Sequence, residues 1–351
     1  MRTVAILLST LLASPGPASD LPKRYACHRA VGGPTINGRL DDPAWAAAAW
    51  TDRFVDIEGD RRPAPRFGTR AKMLWDDEYL YVAAELDEPH LRGSLLEHDS
   101  VIFRDNDFEL FVDPDGDNHA YFEFEINALN TGWDLFLPKP YRDGGKADNG
   151  WEIPGLKTAV HLDGTINDPN DVDRGWTIEI AIPWTAFARS GHRPGCPVEG
   201  DRWRMNFSRV EWRHRLDASG RYENEPETRE DNWVWSPQGV VNMHQPEQWG
   251  IVQFTRLAPG TLTPAPDPTG PARARLIQVY EAQARHHLRS NRWAEDLGIL
   301  ALAPVEGDPM PVTLRSIDSG YEASITLPGG GRLTIGPDSR ITQHPAIGGA
   351  R

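Results

Sequence analysis

Cysteine is scarce in this sequence of 351 residues: there are two, Cys27 and Cys196. No CxxC pair or Cys/His spacing of the kind that holds zinc occurs. Positive charge is also short, with 37 Lys and Arg against 51 Asp and Glu and a formal net charge of −14. That balance argues against a nucleic-acid partner, which is bound through clustered cations, and against attraction to an anionic membrane surface. Past the N-terminus no apolar run is long enough to span a bilayer. The fingerprints GxSxG, P-loop, HExxH and GxGxxG are missing, and there is no internal repeat.

The first residues follow an export pattern. Arg2 gives a positive start, Val4 to Ala13 an apolar stretch too short to span, and Gly16-Pro17-Ala18 small residues before Ser19. Residues 1–18 are therefore read as a secretory signal peptide and set apart from the fold. The competing reading, a short buried helix, runs into Pro15 and Pro17. A secreted or periplasmic location follows, and there an even cysteine count permits one disulfide, Cys27–Cys196. The alternative is two buried or unpaired thiols.

What is abundant is turn-forming residues and tryptophan. Gly 32 and Pro 30 make about 18 % of the chain against a usual total of about 12 %, which points to short elements. Thirteen tryptophans suit a β-rich core or a surface that stacks on flat rings. From Tyr25 to Phe254 the apolar pattern has period two. Leu80, Val82, Ala84 and Leu86 share one face. In Tyr121–Asn127, Phe122, Phe124 and Ile126 face inward while Tyr121, Glu123, Glu125 and Asn127 face outward. Phe108–Val112, Gly175–Ile182, Trp203–Trp212 and Gln248–Phe254 read as further strands. Gly, Pro, Asp and Asn clusters separate them. The pattern predicts an antiparallel, jelly-roll-like β-sandwich over residues 19–256. Asp41-Asp42-Pro43-Ala44-Trp45 reads as an N-capped helical turn.

A Pro-rich linker, 257–272, follows. Beyond it, Leu276, Ile277, Tyr280, Ala284 and Leu288 form a helical stripe, with Arg275, Arg285 and Arg289 outside it. A hairpin is predicted from Tyr321–Leu327 and Arg332–Ile335 around Pro328-Gly329-Gly330-Gly331. Residues 273–351 are few for an independent core, so this helix-and-hairpin extension is expected to pack on the sandwich.

Five stretches carry a resemblance: Pro34–Trp45 (PTINGRLDDPAW), Leu74–Val82 (LWDDEYLYV), Asp105–Asp113 (DNDFELFVD), Trp176–Trp184 (WTIEIAIPW) and Trp249-Gly250. In this order and spacing they resemble the carbohydrate-binding module family 9 domain. The resemblance covers about residues 30–255. It implies a β-sandwich that binds a poly- or oligosaccharide, often with structural calcium and often beside a glycoside hydrolase. It also implies a clamp of two aromatic rings. The first position corresponds to Phe103 and the second to Trp235 or Trp233, with Glu109 on the strand after the first. An arginine expected on the next strand is Glu125 here, a departure that bears on sugar-end specificity.

The residues themselves extend this list. Sugar sites pair rings with carboxylates and amides, because a ring covers the apolar face of a pyranose and leaves its hydroxyls to hydrogen bonds. Phe103, Trp133 and Trp235 are the candidate surface rings, while Trp45, Trp176, Trp184 and Trp249 fall in fold-defining patterns and are assigned to the core. Glu109, Glu125, Asn127 and Arg209 are the expected hydrogen-bonding partners. Asp113, Asp115, Asp117 and Asn118 place oxygens at alternating positions of one turn, which suits calcium; the plainer reading is a turn whose Asp side chains cap backbone N–H groups. No organic cofactor is expected. The catalytic alternative is a glycoside hydrolase using Glu123 and Glu125, although neighbours on one strand face lie side by side rather than across a scissile bond. A third alternative, a haem-binding redox domain of the same superfamily, would need Met73 or Met205 with His119 as axial ligands.

Overall fold

The computed structural model describes residues 22–302 and 311–346, so the signal-peptide reading of residues 1–18 lies outside the described residues. The sandwich strands are β1 (Arg24–Arg29), β2 (Val55–Asp56), β3 (Thr69–Trp75), β4 (Tyr79–Asp87), β5 (Asp107–Asp113), β6 (Tyr121–Asn127) and β7 (Gly132–Leu137). They continue as β8 (Lys157–Asp163), β9 (Gly175–Pro183), β10 (Arg202–Glu211), β11 (His214–Leu216), β12 (Tyr222–Asn224), β13 (Asp231–Val234) and β14 (Gly250–Thr255). Twelve of them join in one hydrogen-bonded sheet in the order β7-β6-β5-β10-β14-β1-β3-β4-β9-β8, with β13 beside β10 and β2 beside β13. β11 and β12 form a separate two-stranded ribbon. The fold is mostly β and sandwich-like, as the period-two pattern predicts.

One expectation needs correcting: the sheet is mixed. β1 runs parallel to both of its neighbours, β14 and β3. A terminal strand needs no hairpin to enter a sheet, so the antiparallel rule that short turns impose does not bind it.

Period two assigns the faces correctly but not their exposure. Phe108, Leu110 and Val112 of β5 join Phe122, Phe124 and Ile126 of β6 in the main core. The opposite face is covered as well. Phe111, Tyr121, Leu135 and Leu137 pack there against Ile57, Val234, Met243 and Trp249. Every residue of β5 and β6 is thus buried, including the expected outward set Tyr121, Glu123, Glu125 and Asn127. Loops that return from distant parts of the chain cover this face.

Trp45, Trp176, Trp184 and Trp249 are buried as assigned. The turn Pro43–Ala47 is capped by Asp42, whose side chain accepts from the Ala44 N–H. Glu179 of β9 is fully buried and accepts from the Asn37 and Gly38 N–H groups, each at 2.7 Å, and from Trp45 Nε1 at 2.6 Å. One carboxylate therefore fastens the Pro34–Trp45 segment to the sheet. The expected disulfide is not made: Cys27 and Cys196 are free. Cys27 is a core residue of β1, and Cys196 packs at the margin of the same apolar cluster rather than bonding to it. Burial pushes the Cys27 thiol well up, so it stays protonated.

The C-terminal unit contains α1 (Gly270–Ser290) and a four-stranded sheet, β15 (Val312–Ile317), β16 (Gly320–Thr326), β17 (Arg332–Ile335) and β18 (Ile341–His344). The predicted hairpin is its β16–β17 centre. Leu276, Ile277, Val279 and Tyr280 of α1 close over Tyr321, Ala323, Ile325, Leu333 and Ile335 in a cluster of its own. The predicted stripe fails at its end: Leu288 is 86 % exposed and takes no part in the apolar cluster. Among the described residues no helix is long and apolar enough to cross a membrane.

Polar contacts bind this unit to the sandwich. Arg340 Nε reaches Asp117 Oδ2 at 2.7 Å, Arg273 donates to the Gly116 carbonyl at 2.6 Å, and Asn118 Nδ2 donates to the Ser339 carbonyl at 3.0 Å. The Asp143 carboxylate accepts from Tyr280 at 2.6 Å and from Ser339 Oγ at 2.5 Å. Hydrogen bonds to a buried charge contribute roughly 1.5–3 kcal/mol each. Asp143→Ala is expected to lower unfolding free energy by on the order of 2–4 kcal/mol in urea titration. It should also speed proteolytic cleavage within residues 257–269; unchanged cleavage would show that Asp143 does not hold the unit.

Candidate functional site

A groove of about 340 Å³ opens on the outer face of β5, β6 and β7. It lies within the size range of small-ligand sites. Cross-strand register builds it. Ser208 of β10 pairs with Glu109, Glu109 with Glu125, and Glu125 with Trp133, so one row crosses four strands. The next row runs through Phe111, Glu123 and Leu135. Phe103, from the loop before β5, hangs over this floor and is 39 % exposed. Its ring centroid lies 6.4 Å from that of Trp133 with the planes 31° apart. The loop is fixed at both sides of the ring: the Phe103 N–H donates to Glu125 Oε2 at 3.0 Å, and Trp212 Nε1 donates to the Phe103 carbonyl at 2.8 Å.

The far wall is Tyr141, 47 % exposed, set edge-on to His244 with centroids 4.4 Å apart. His244 Nδ1 lies 3.0 Å from the Tyr121 hydroxyl, and burial lowers its pKa to about 4, so the ring is neutral at pH 7. Asn232, Asn242 and Glu230 complete the lining.

The floor is acidic and buried: Glu109, Glu123 and Glu125 are each 5 % exposed or less. Burial pushes Glu109 up to about 7. Burial and the nearby Glu109 raise Glu123, and burial followed by Glu109, Asp107 and Glu123 raises Glu125. Glu123 Oε2 meets no hydrogen-bond partner among the described residues. Burial thus reduces the acidity of all three carboxyls, and a protonated carboxyl offers a ligand both an O–H donor and a carbonyl acceptor. Rings above, donors and acceptors below and an open top suit an uncharged polyhydroxylated molecule.

Of the expected site residues, Phe103, Glu109, Glu125 and Trp133 meet here, joined by Glu123. Four do not. Trp235 is 1 % exposed and packs in the main core, its ring 6.4 Å from Tyr25 and 5.9 Å from Phe207. A Cβ on Gly250 would fall 2.3 Å from that indole, which explains the glycine after Trp249. Trp233 is also buried, against Phe67. Neither ring reaches the groove, where the ring beside Phe103 is Trp133. Arg209 is buried and bonded to Glu88 Oε2 at 2.9 Å and Glu211 Oε2 at 2.8 Å, on the opposite face of β10 from Ser208. Asn127 is spent on its own turn: it donates to the Leu95 carbonyl and Asp105 and accepts from the Leu129 and Thr131 N–H groups.

The Asp113–Asn118 turn lies at the contact with the C-terminal unit. Oxygens of Asp113, Asp115 and Asp117 lie within 4.8 Å of one another. Asp113 accepts from the Gly116 and Asn118 N–H groups at 2.9 Å each, and Asp117 from the His119 N–H at 2.7 Å. Met73 and Met205 are core residues, while His119 Nε2 bonds to the Asp338 carbonyl at 2.7 Å, so the three do not form an axial pair. Tyr141 and His244 escaped the sequence reading. Tyr141 follows a Lys-Pro turn directly after β7, a faint signal, and nothing local marks His244.

A sandwich with a ring-lined, open groove defines a ligand-binding module. Residues 36–256 match the family model described as carbohydrate family 9 binding domain-like, and the chain belongs to that family. Exoglucanase XynX of Acetivibrio thermocellus is 30 % identical over 159 residues, which are 44 % of this chain and 12 % of that enzyme. Endo-1,4-beta-xylanase A of Thermoanaerobacterium saccharolyticum is 29 % identical over 162 residues, 45 % of this chain and 12 % of that enzyme. The match thus spans a small part of these much longer relatives. Among solved structures, a carbohydrate binding module family 9 from Caldicellulosiruptor kristjanssonii in complex with cellotriose aligns with TM-score 0.44 and 19 % identity, over 70 % of this chain and all of that one. The same organism's module in complex with glucose gives 0.45 and 19 %, over 69 % and all.

Proton uptake by the floor fixes a sign. The unfolded chain releases its Glu109 proton near 4.5, whereas the folded chain holds it to about 7. Between those values the folded state binds more protons, so stability falls as pH rises through this window, by on the order of 3 kcal/mol for a shift of this size. The melting temperature should therefore drop from pH 5 to pH 8. Glu109→Gln should flatten that drop, and an equal slope in the variant would assign the effect elsewhere.

Proposed function

We propose that this chain is an exported, non-catalytic module that binds a poly- or oligosaccharide in the Phe103–Trp133–Tyr141 groove. The observation that carries the reading is the row Glu109–Glu125–Trp133 under the Phe103 ring, which places hydrogen-bonding carboxyls beneath stacking surface. Export rests on the N-terminal pattern of residues 1–18. The matched enzymes, an exoglucanase and an endo-1,4-beta-xylanase, make β-glucan and xylan the first ligands to try and a glycoside hydrolase the first partner to seek. Losing the burial of one large aromatic costs roughly 1.5–3 kcal/mol. Trp133→Ala is therefore expected to weaken glycan binding about ten- to hundredfold in calorimetry, while Trp235→Ala lowers stability instead. Binding without release of reducing sugar supports the module, release of sugar would move Glu123 and Glu125 to catalysis, and unchanged affinity in Trp133→Ala would dismiss the groove.

We also propose calcium at the Asp113–Asp117 turn. Asp115 projects from it with its acidity reduced to about 6, first by burial and then by Asp117, an arrangement that a divalent ion would relieve. Calcium should raise the melting temperature of the wild type and leave Asp115→Asn unmoved. Equal shifts in both would mean that the turn is held by backbone caps and Arg340 alone.

A further inference from the structure

A second polar cluster lies behind the groove, on the other side of β7. His98 Nε2 faces three carboxylates: Glu152 Oε2 at 3.1 Å, Asp99 Oδ1 at 3.3 Å and Asp134 Oδ1 at 3.5 Å. His98 Nδ1 lies 2.9 Å from the Gly132 carbonyl. A carbonyl only accepts, so Nδ1 carries the proton and Nε2 is the nitrogen left for the carboxylates. Asp134 is 1 % exposed, and its Oδ1 has no hydrogen-bond partner among the described residues while its Oδ2 accepts from the Ile153 N–H at 2.6 Å. Asp99 Oδ1 is unpartnered in the same way. Among the described residues no Lys or Arg forms an ion pair with any of these three carboxylates.

We propose that His98, Asp99 and Asp134, whose ligand atoms all lie within 4.8 Å of one another, form a binding site for a borderline divalent cation of the zinc class, with Glu152 beside it on His98. Charge requires a cation: three carboxylates around one imidazole leave an excess negative charge even when the ring is protonated, and one of them is fully buried. Spacing selects its size. Bonds of about 2.0–2.2 Å arranged tetrahedrally put ligand atoms roughly 3.3–3.6 Å apart, close to the 3.3 and 3.5 Å from His98 Nε2 to the Asp99 and Asp134 oxygens. Chemistry selects its class, since imidazole suits zinc and its neighbours whereas calcium takes oxygen ligands at longer bonds. The Gly132 carbonyl and the Ile153 N–H orient His98 and Asp134 from behind, as outer hydrogen bonds do at metal centres. His98 is half exposed, which leaves the ion a way in. The ion would clip the 98–104 loop, which carries Phe103, to β7, which carries Trp133.

The test uses the full chain stripped with a chelator and titrated with Zn2+ at pH 7.5 by calorimetry, with Co2+ absorption as a spectroscopic check. One Zn2+ should bind this site, Ca2+ should not compete for it, and hydrogen exchange of residues 98–104 should slow. His98→Gln, a half-exposed position that the fold tolerates, and Asp134→Asn, which keeps the acceptor for the Ile153 N–H, should each weaken Zn2+ at least tenfold. The Co2+ band should disappear in His98→Gln. Absence of Zn2+ uptake by the wild type would overturn the proposal and leave His98 as a partner in ion pairs. Wild-type Zn2+ affinity in both variants, or displacement by Ca2+, would overturn it as well.

Discussion

The registration of β10, β5, β6 and β7 is the constraint on which the remaining structure depends. With period two, one residue decides which face a side chain takes, and a slip by one would exchange the two faces of a strand. Here both faces are buried, so neither tolerates the exchange. Phe108, Leu110, Phe122 and Phe124 bind the sheet to the main core, and this apolar layer holds Glu109 opposite Glu125. Like charges directly across a ladder are unfavourable. Burial raises the pKa of both members of the pair, so the same packing that defines the fold also sets the chemical character of the groove floor.

From this row the structure branches through the short segment Tyr141–Asp143. Tyr141 lines the groove, Arg142 bonds to Glu247 and lies over the Tyr280 ring, and Asp143 receives Tyr280 and Ser339. Three consecutive residues therefore serve the ligand surface, a sandwich loop and the C-terminal unit. At the same end of the sheet the Asp113–His119 turn repeats the arrangement, since its carbonyls and carboxylates receive Arg273, Arg340 and the Ile341 N–H. The C-terminal unit has an apolar core of its own, and contacts of a different kind, directional and polar, set its position.

Much of this was legible in the sequence, and the failures have a common physical cause. Alternation identified the strands, and the Pro34–Trp45 and Asp105–Asp113 segments identified the family. Phe103, Glu109, Glu125 and Trp133 were found because strand and loop positions carry local signals. Trp233 and Trp235 do alternate with Val234 at a loop–strand junction, but nothing local reveals that Phe67, Tyr25 and Phe207 cover them. Arg209 and Asn127 were misread for the same reason: their partners Glu88, Leu95 and Asp105 are distant in the chain or wrapped in an irregular loop. Tyr141 and His244 come from separate loops and become one wall only in three dimensions. β15 and β18 were missed because their short polar-edged runs gain meaning only beside the central hairpin.

The parallel placement of β1 has a kinetic meaning. Arg24 pairs with Ile251 and His28 with both Thr255 and Leu74, so the first strand is the seam between the two halves of the sheet. A nascent chain holds that seam open until β14, its last sandwich strand, has emerged. Such non-local closure makes folding slow and late. The incomplete chain meanwhile presents β10 and β1, the two neighbours of the missing β14, as unpaired edges, the kind that invite association with other copies.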